Sequence, residues 1–514
     1  MEQLGLKDLS ESVKATKSLD PELLLQRNAV LEAELMRVLR ELYELRKIAI
    51  TDEQLKLVMK EQLEGLRADQ FGASSERYKK PENKPEGPKA PPRPRVKKPS
   101  ERYPHIPVHE EVITQDPAPG CPCCGKGMTD SGMTEDSEQL TVIPKKYEIL
   151  RQKRVKYRCT CQGAIVTAAA PARILPGSSY SDEMILDVGL SKYCDLIPIE
   201  RYAEMAGRCG LKDLPPHSLI ELTHGLADFV SPAYVRIRSG VLSARILHAD
   251  ETPHKMLEGS DKKSWYLWGF STPEHSFFEC HDTRSGDVAS DVLAQSRCEV
   301  LVTDVYSGYS KAVRVANQTR KTQGRRPIES AYCNAHARRY FIKAWKHGYP
   351  EAEFYLEHYH EIYRVNSDSK GQSPPWVLEL RSQMKIRFEA MRERALAEQE
   401  RYPAKSKYGK ALKYFLANYA GLTLFLCDPE VLIDNNSQER LLRNHVVGRK
   451  TWYGTHSERG ALTAAILFTL VESCKLNGVN PREYFKSVVA SILAGTGAVT
   501  PHEFKQARAT ESAA

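Results

Sequence analysis

Three observations predict a multidomain protein of mixed α+β and α/β class. The chain has 514 residues, well beyond the ~250 to 300 residues at which a single core stops growing. Its first half is partitioned, with heptad-spaced leucines, a proline- and lysine-rich stretch, a cysteine cluster and amphipathic helical patterns following one another. Beyond residue 236 the periodicity changes to short apolar strands, two of which end in an aspartate.

Composition narrows the compartment and the partners. The chain carries 74 Lys and Arg against 66 Asp and Glu, a net +8, so attraction to polyanions depends on where the excess sits. The segment Met1 to Asp20 is polar and lacks a signal-peptide run, and the longest apolar stretch, around Ala461 to Val471, is too short to span a bilayer. The expectation is a soluble, intracellular, cytoplasmic protein. Five of the twelve cysteines fall between Cys121 and Cys161, which suits a metal site in a reducing compartment better than a disulfide framework.

Residues 1–78 form the first region. Leu24, Leu31, Val38 and Leu45 are spaced by seven, with Leu35 and Leu42 in the alternate position and Asn28 in that register one heptad earlier. Such a helix either zips to a second copy, with Asn28 fixing register, or packs on its own protein. Residues 79–115 read as an extended basic linker, because eight Lys or Arg against two Glu lie between Lys79 and Ser100 and almost nothing there can be buried. It is either a solvated tether or a tether with non-specific affinity for phosphates.

Residues 116–170 contain Cys121-Pro122-Cys123-Cys124-Gly125 and, later, Cys159-Thr160-Cys161. Two close cysteine pairs on facing turns supply the tetrahedral thiolates of a structural Zn²⁺ site, and Cys121, Cys124, Cys159 and Cys161 are the expected ligands, with Cys123 a spare. Residues 171–235 show three helical patterns with breaks at Asp195 to Pro198 and Cys209 to Pro216. Their outline fits a helix-turn-helix or a plain helical connector, since no basic stripe marks a recognition helix.

Residues 236–345 should hold strands from Val241 to Ala249, Trp265 to Phe270, Ser276 to Cys280 and Glu299 to Thr303, with a helix over Gly286 to Gln295 before the fourth. Asp250 and Asp304 end the first and fourth strands, and adjacent strands would bring them together although they lie 54 residues apart. Two neighbouring aspartates repel unless a cation sits between them. Cys333 and His336 are of metal-ligating type, but with no second pair nearby a packing role is favoured. Residues 346–428 are expected to be an inserted helical subdomain, because 135 residues between Asp304 and Glu439 are too many for a loop. Residues 429–476 resume the core and 477–514 give a C-terminal helix and a mobile polar tail.

The stretch Ile433 to Arg443, followed by Val447 to Trp452, is the densest in chemistry. On a helix, Asn435, Glu439 and Arg443 share one face. Glu439 either faces a cation or closes a capping box with Asn436.

Together these blocks resemble the transposases of the insertion-sequence 66 family along nearly the whole chain. The resemblance is carried by Phe71-Gly72 to Glu76, the cysteine module, Lys192-Tyr193 to Gly210, Asp250-Glu251-Thr252-Pro253, Thr303-Asp304 with Gly308-Tyr309, Cys333 to Phe341, and the Asp434 to Arg443 stretch with Gly448-Arg449-Lys450. The sequence departs from the family at the one-residue gap between Cys159 and Cys161, at Asn444 where proline is usual, and at Thr451 where asparagine is usual. The resemblance implies a DDE transposase with a ribonuclease-H-like core, with Asp250, Asp304 and Glu439 as catalytic ligands of two Mg²⁺ (or Mn²⁺) ions. Asp250 would bridge the ions. Arg443, Arg449 and Lys450 become candidates for phosphate contacts or surface ion pairs. The implied partners are element DNA with inverted terminal repeats, target DNA, further copies of the chain and accessory proteins of the same element. The implied location is the bacterial cytoplasm, on the nucleoid when bound to DNA. Two other readings stay open: a non-catalytic DNA-binding regulator that uses the coiled coil and zinc module, and a structure-selective nuclease on the same core.

Overall fold

The computed structural model describes residues 21–45, 51–71, 98–114, 119–120, 122–129, 132–158, 164–257 and 264–513. Most of the basic linker, the Gly72 to Arg77 block, Cys121, Cys159 and Cys161 lie outside the described residues.

Helix α1 (Pro21–Leu45) carries the heptads, and Leu31, Val38 and Leu42 of that pattern are 65%, 45% and 37% exposed. Helix α2 (Asp52–Phe71) buries Leu55 and Val58. Its Glu61 is 7% exposed and accepts from the Tyr349 hydroxyl at 2.8 Å and the Lys407 amide at 2.9 Å. A buried carboxylate is tolerated there because both donors belong to the helical region on which α2 docks.

In the cysteine region, β1 (Lys156–Arg158) and β2 (Ile165–Thr167) pair antiparallel. An isolated bridge between Gly120 and Gly127 closes the turn that holds Cys123 and Cys124, both exposed. Three helices follow: α3 (Asp182–Tyr193), α4 (Ile199–Arg208) and α5 (Pro216–Ser243). The breaks fall where the sequence places them, with Leu196, Gly210 and Asp213 at positive φ. α5 buries Leu219, Leu226, Val230, Ala233, Ile237 and Val241 in the main core, and its exposed Glu221 and Asp228 pair with Arg459.

Five strands form one sheet: β3 (Ile246–Lys255), β4 (Ser264–Ser271), β5 (Ser276–His281), β6 (Val300–Thr303) and β7 (Glu329–Tyr332), in the order β5-β4-β3-β6-β7. β3, β4 and β5 are antiparallel neighbours, whereas β6 lies parallel to β3 and β7 parallel to β6. Helices α6 (Gly286–Gln295) and α7 (Ser307–Thr322) supply the crossovers, as parallel pairs require. Two boundaries differ from expectation. Val241 to Ser243 finish α5, and the first strand starts at Ile246 and continues past Asp250 to Lys255. A continuous apolar run does not separate a buried helix end from a strand. The fifth strand, only four residues long, carries no such run.

Helices α8 (Asn334–Lys346), α9 (Ala352–Asp368), α10 (Pro374–Glu398), α11 (Lys407–Ala417) and α12 (Tyr419–Thr423) build the helical region. They share a core with the edge of the sheet through Val300, Val302 and Ala331. Then α13 (Asn436–Trp452) crosses the sheet, α14 (Glu458–Leu476) lies buried against it, and α15 (Pro481–Leu493) and α16 (Pro501–Ala513) close the chain. The expected mobile tail is thus helical in α16, pinned where Glu503 pairs with Arg236 at 2.5 Å and accepts the Thr500 amide at 2.7 Å. Among the described residues no single helix is long and apolar enough to cross a membrane.

Candidate active site

Alternate residues of β3 face α13. His248 Nδ1 lies 2.9 Å from Asn435 Oδ1, Thr252 Oγ1 accepts from Arg449 at 3.0 Å, and His254 Nδ1 lies 3.2 Å from His445 Nε2. Side chains two apart on a strand share a face. Asp250 is the intervening member of that face, so it is directed to the same side as Glu439 in the first turn of α13.

Asp304 arrives from the neighbouring strand. The register runs to His248↔Val302, so Asp250 and Asp304 each follow that rung by two residues, Asp250 within β3 and Asp304 just past the end of β6. Asp304 Oδ1 accepts the Tyr306 amide at 3.0 Å, which turns the chain into α7. Burial pushes the Asp250 carboxyl up to about 8, and the charges of Glu251, Asp304 and Glu439 add to the effect. The charges of Asp304 and Glu439 thus bear on Asp250 from elements 54 and 189 positions away in sequence. A cation relieves such repulsion, and an all-carboxylate donor set of this kind fits hard Mg²⁺ or Mn²⁺.

Several residues that the sequence did not single out build this site. Glu251, on the opposite face of β3, has a side chain only 3% exposed, held by Arg284 at 2.6 Å and by the Tyr309 hydroxyl at 2.6 Å. Asn435 does not cap α13. Its Nδ2 donates to the Ala249 carbonyl at 2.8 Å, and no side-chain cap bond is made at the helix start. Nor does Glu439 close a capping box with Asn436, which instead bonds Asp434 through its amide N–H at 3.1 Å and its side chain at 2.9 Å. Gly269 is the cross-strand partner of Asp250, and a Cβ there would overlap Gln438 Nε2. A glycine at this position therefore admits α13 to the sheet directly beside the acids.

Arg443 and Lys450 are exposed along α13. Arg449 is turned inward, donating to Thr252 Oγ1 and to the Pro253 carbonyl, so part of its bonding capacity is spent within the protein. Of the expected zinc ligands only Cys124 is described, and it is exposed. The structure also brings Cys333 and His336 to Glu439, with one ligand atom from each within 4.8 Å of the others. The sequence offered no sign of this third partner, because it lies over a hundred residues further along the chain.

The fold defines a mixed α+β protein with a five-stranded mixed sheet crossed by α13. The chain belongs to the transposase IS66 family, whose family model matches residues 177–463, and membership points to a DNA-processing enzyme. It is also similar to three uncharacterized proteins of Sinorhizobium fredii. Identity is 27% to y4jD over 78% of this chain and 79% of that protein, 26% to y4hP over 75% and 72%, and 28% to y4qI over 87% and 82%.

Proposed function

We propose that the protein is a DDE-type DNA transposase on a ribonuclease-H-like core, cutting at element ends and transferring the freed strand into target DNA. The observation that carries this reading is the raised carboxyl of buried Asp250, to which the charges of Asp304, just past β6, and Glu439, in the first turn of α13, contribute. The mixed sheet order, with the first strand central, supports it. Asp250, Asp304 and Glu439 would together hold the two Mg²⁺ ions that this chemistry uses. Bound there, such ions activate an oxygen nucleophile and stabilise the leaving oxygen of a phosphodiester. Asn435 holds α13 on β3, which fixes Glu439 relative to Asp250. Exposed Arg443 and Lys450 would meet phosphates and orient the duplex.

The outlying regions fit the same activity. The exposed heptad positions of α1 suit pairing with a second copy, and the hairpin β1–β2 with the Gly120–Gly127 bridge suits a zinc ribbon held by Cys121, Cys124, Cys159 and Cys161. The helical region between Asp304 and Glu439 is an insertion into the core.

The test is a strand-transfer assay on terminal-repeat DNA with Mg²⁺, supplied with the element's accessory proteins where they exist. Asp250→Asn, Asp304→Asn and Glu439→Gln should each lower activity by about 10³-fold or more while leaving DNA retention intact, an order typical of losing a group that acts only in the transition state. Full activity in any one variant removes that residue from the site. Cleavage without joining by the unaltered protein reassigns it as a nuclease.

A further inference from the structure

The side chains of Cys333 and His336 have no role in the carboxylate chemistry above, yet they face it. Cys333 ends β7 as the N-cap of α8, and His336 is in the first turn of α8, so a two-residue gap directs both toward the start of α13. His336 Nδ1 and Glu439 Oε1 are 3.7 Å apart, and both atoms are shielded from solvent without a hydrogen-bond partner among the described residues. Two buried polar atoms that face each other at this distance without bonding are a costly arrangement unless something lies between them. The Cys333 side chain is fully buried, and its Sγ accepts the Asn435 amide at 3.3 Å. Burial pushes the Cys333 thiol up to about 12 against the pull of the Asn435 amide, so the sulfur stays a neutral thiol until a cation displaces its proton.

We propose that Cys333, His336 and Glu439 form a binding site for one divalent cation of borderline softness, of the Zn²⁺ or Co²⁺ class. This site deepens the catalytic reading, on which it rests for the placement of Glu439, because it makes that carboxylate common to an oxygen-only cluster and a nitrogen-sulfur one. The geometry is close to what the ion needs. Tetrahedral bonds of about 2.0 to 2.3 Å set ligand atoms roughly 3.3 to 3.7 Å apart. The His336–Glu439 separation already meets this, and the widest separation, at most 4.8 Å, closes with about 1 Å of side-chain rotation. Three protein ligands leave one position open, as in catalytic rather than structural zinc sites. Binding converts the Cys333 thiol to a thiolate, and its proton leaves to solvent.

The test is a Co²⁺ titration of full-length, metal-stripped protein, followed by the sulfur-to-cobalt charge-transfer absorption. Subtracting the Cys333→Ser titration from that of the unaltered chain cancels absorption from the Cys121 to Cys161 module, present in both. The expected difference saturates at one equivalent. Cys333→Ala, checked by circular dichroism, should reproduce the result if serine disturbs packing. His336→Gln should weaken this equivalent at least tenfold, a loss typical of disturbed metal coordination. Asp250→Asn should keep it, so failure of the catalytic reading, seen as strand transfer by Asp250→Asn, is recorded separately. Superimposable titrations of the unaltered chain and Cys333→Ser, or an equivalent that His336→Gln leaves at full strength, would overturn the proposal.

Discussion

Asn435 and His248 face each other at 2.9 Å across the junction of α13 and β3, and the same asparagine donates to the Ala249 carbonyl at 2.8 Å. Burial holds His248 below its ordinary value, so the ring is neutral and its Nδ1–H donates to Asn435 Oδ1. The sequence places Asn435 on one helical face with Glu439 and Arg443. The structure spends its side chain on the sheet instead, and that bond sets where Glu439 stands one turn later.

Asn435→Ala should therefore cost more than a missing cap. Two buried hydrogen bonds are lost and their partners are left unsatisfied, at about 1 to 3 kcal/mol each. The expected result is a loss of roughly 2 to 5 kcal/mol in urea denaturation. Strand transfer should fall about 100-fold even where the variant is folded, the scale of a catalytic group displaced by ~1 Å. A variant that loses stability but keeps the full rate would separate Asn435 from Glu439.

What was readable in the sequence follows from how local each signal is. The helices α3, α4 and α6 and the strands β4, β5 and β6 fall within a residue or two of expectation, since their apolar spacing and turn residues are local. Asp250 and Asp304 are legible because each ends an apolar run. The roles of Asn435, Gly269, Glu251 and Tyr309 are not, because each is defined by a partner on another element. Glu439 beside Cys333 and His336 is the extreme case, since no periodicity links residues over a hundred positions apart. The start of β3 is not legible because Val241 is as apolar as a strand residue while serving the buried face of α5.

Gly269 and Gln438 give a paired prediction. Gln438 is fully buried and neither of its amide atoms finds a partner among the described residues. Gly269→Ala places a methyl against that amide and the Phe278 ring, so it should cost about 1 to 3 kcal/mol by overpacking and lower the rate by moving α13. Gln438→Met removes the unsatisfied polar atoms at similar volume and should be neutral or stabilising by about 1 kcal/mol. Thermal unfolding of both variants checks this, and a destabilised Gln438→Met would show that the amide has a partner in the working protein.

His254 and His445 stack with ring centroids 5.1 Å apart, and both are held below the ordinary histidine value by burial, His254 down to about 4. The unfolded chain takes up protons on these rings near pH 6.5 and the folded chain does not, so stability is full above that pH and is lost as pH falls toward about 4. His254 alone accounts for roughly 3 kcal/mol at most across that window. Denaturation midpoints measured between pH 4 and 7 should rise with pH, and His254→Gln should flatten the slope. An unchanged slope in that variant would place the titrating group elsewhere.

Glu251 tests whether the floor beneath Asp250 is electrostatically tense. Its carboxyl is raised by burial and by the Asp304 charge, and lowered by the Tyr309 hydroxyl and Arg284. Tyr309 is itself 2% exposed and is seated edge-on to Trp268 at 5.7 Å, so Tyr309→Phe deletes a hydrogen-bond donor with little change in packing. The carboxylate then loses one of its two partners in a site that admits almost no water. The expected loss is about 1 to 3 kcal/mol at pH 7, shrinking as pH falls and Glu251 takes up a proton. Adding Glu251→Gln to Tyr309→Phe should recover part of that stability, because a neutral amide has no charge to leave unpaired. Additive losses in this double-mutant cycle would mean that the Tyr309 hydroxyl does not support the carboxylate.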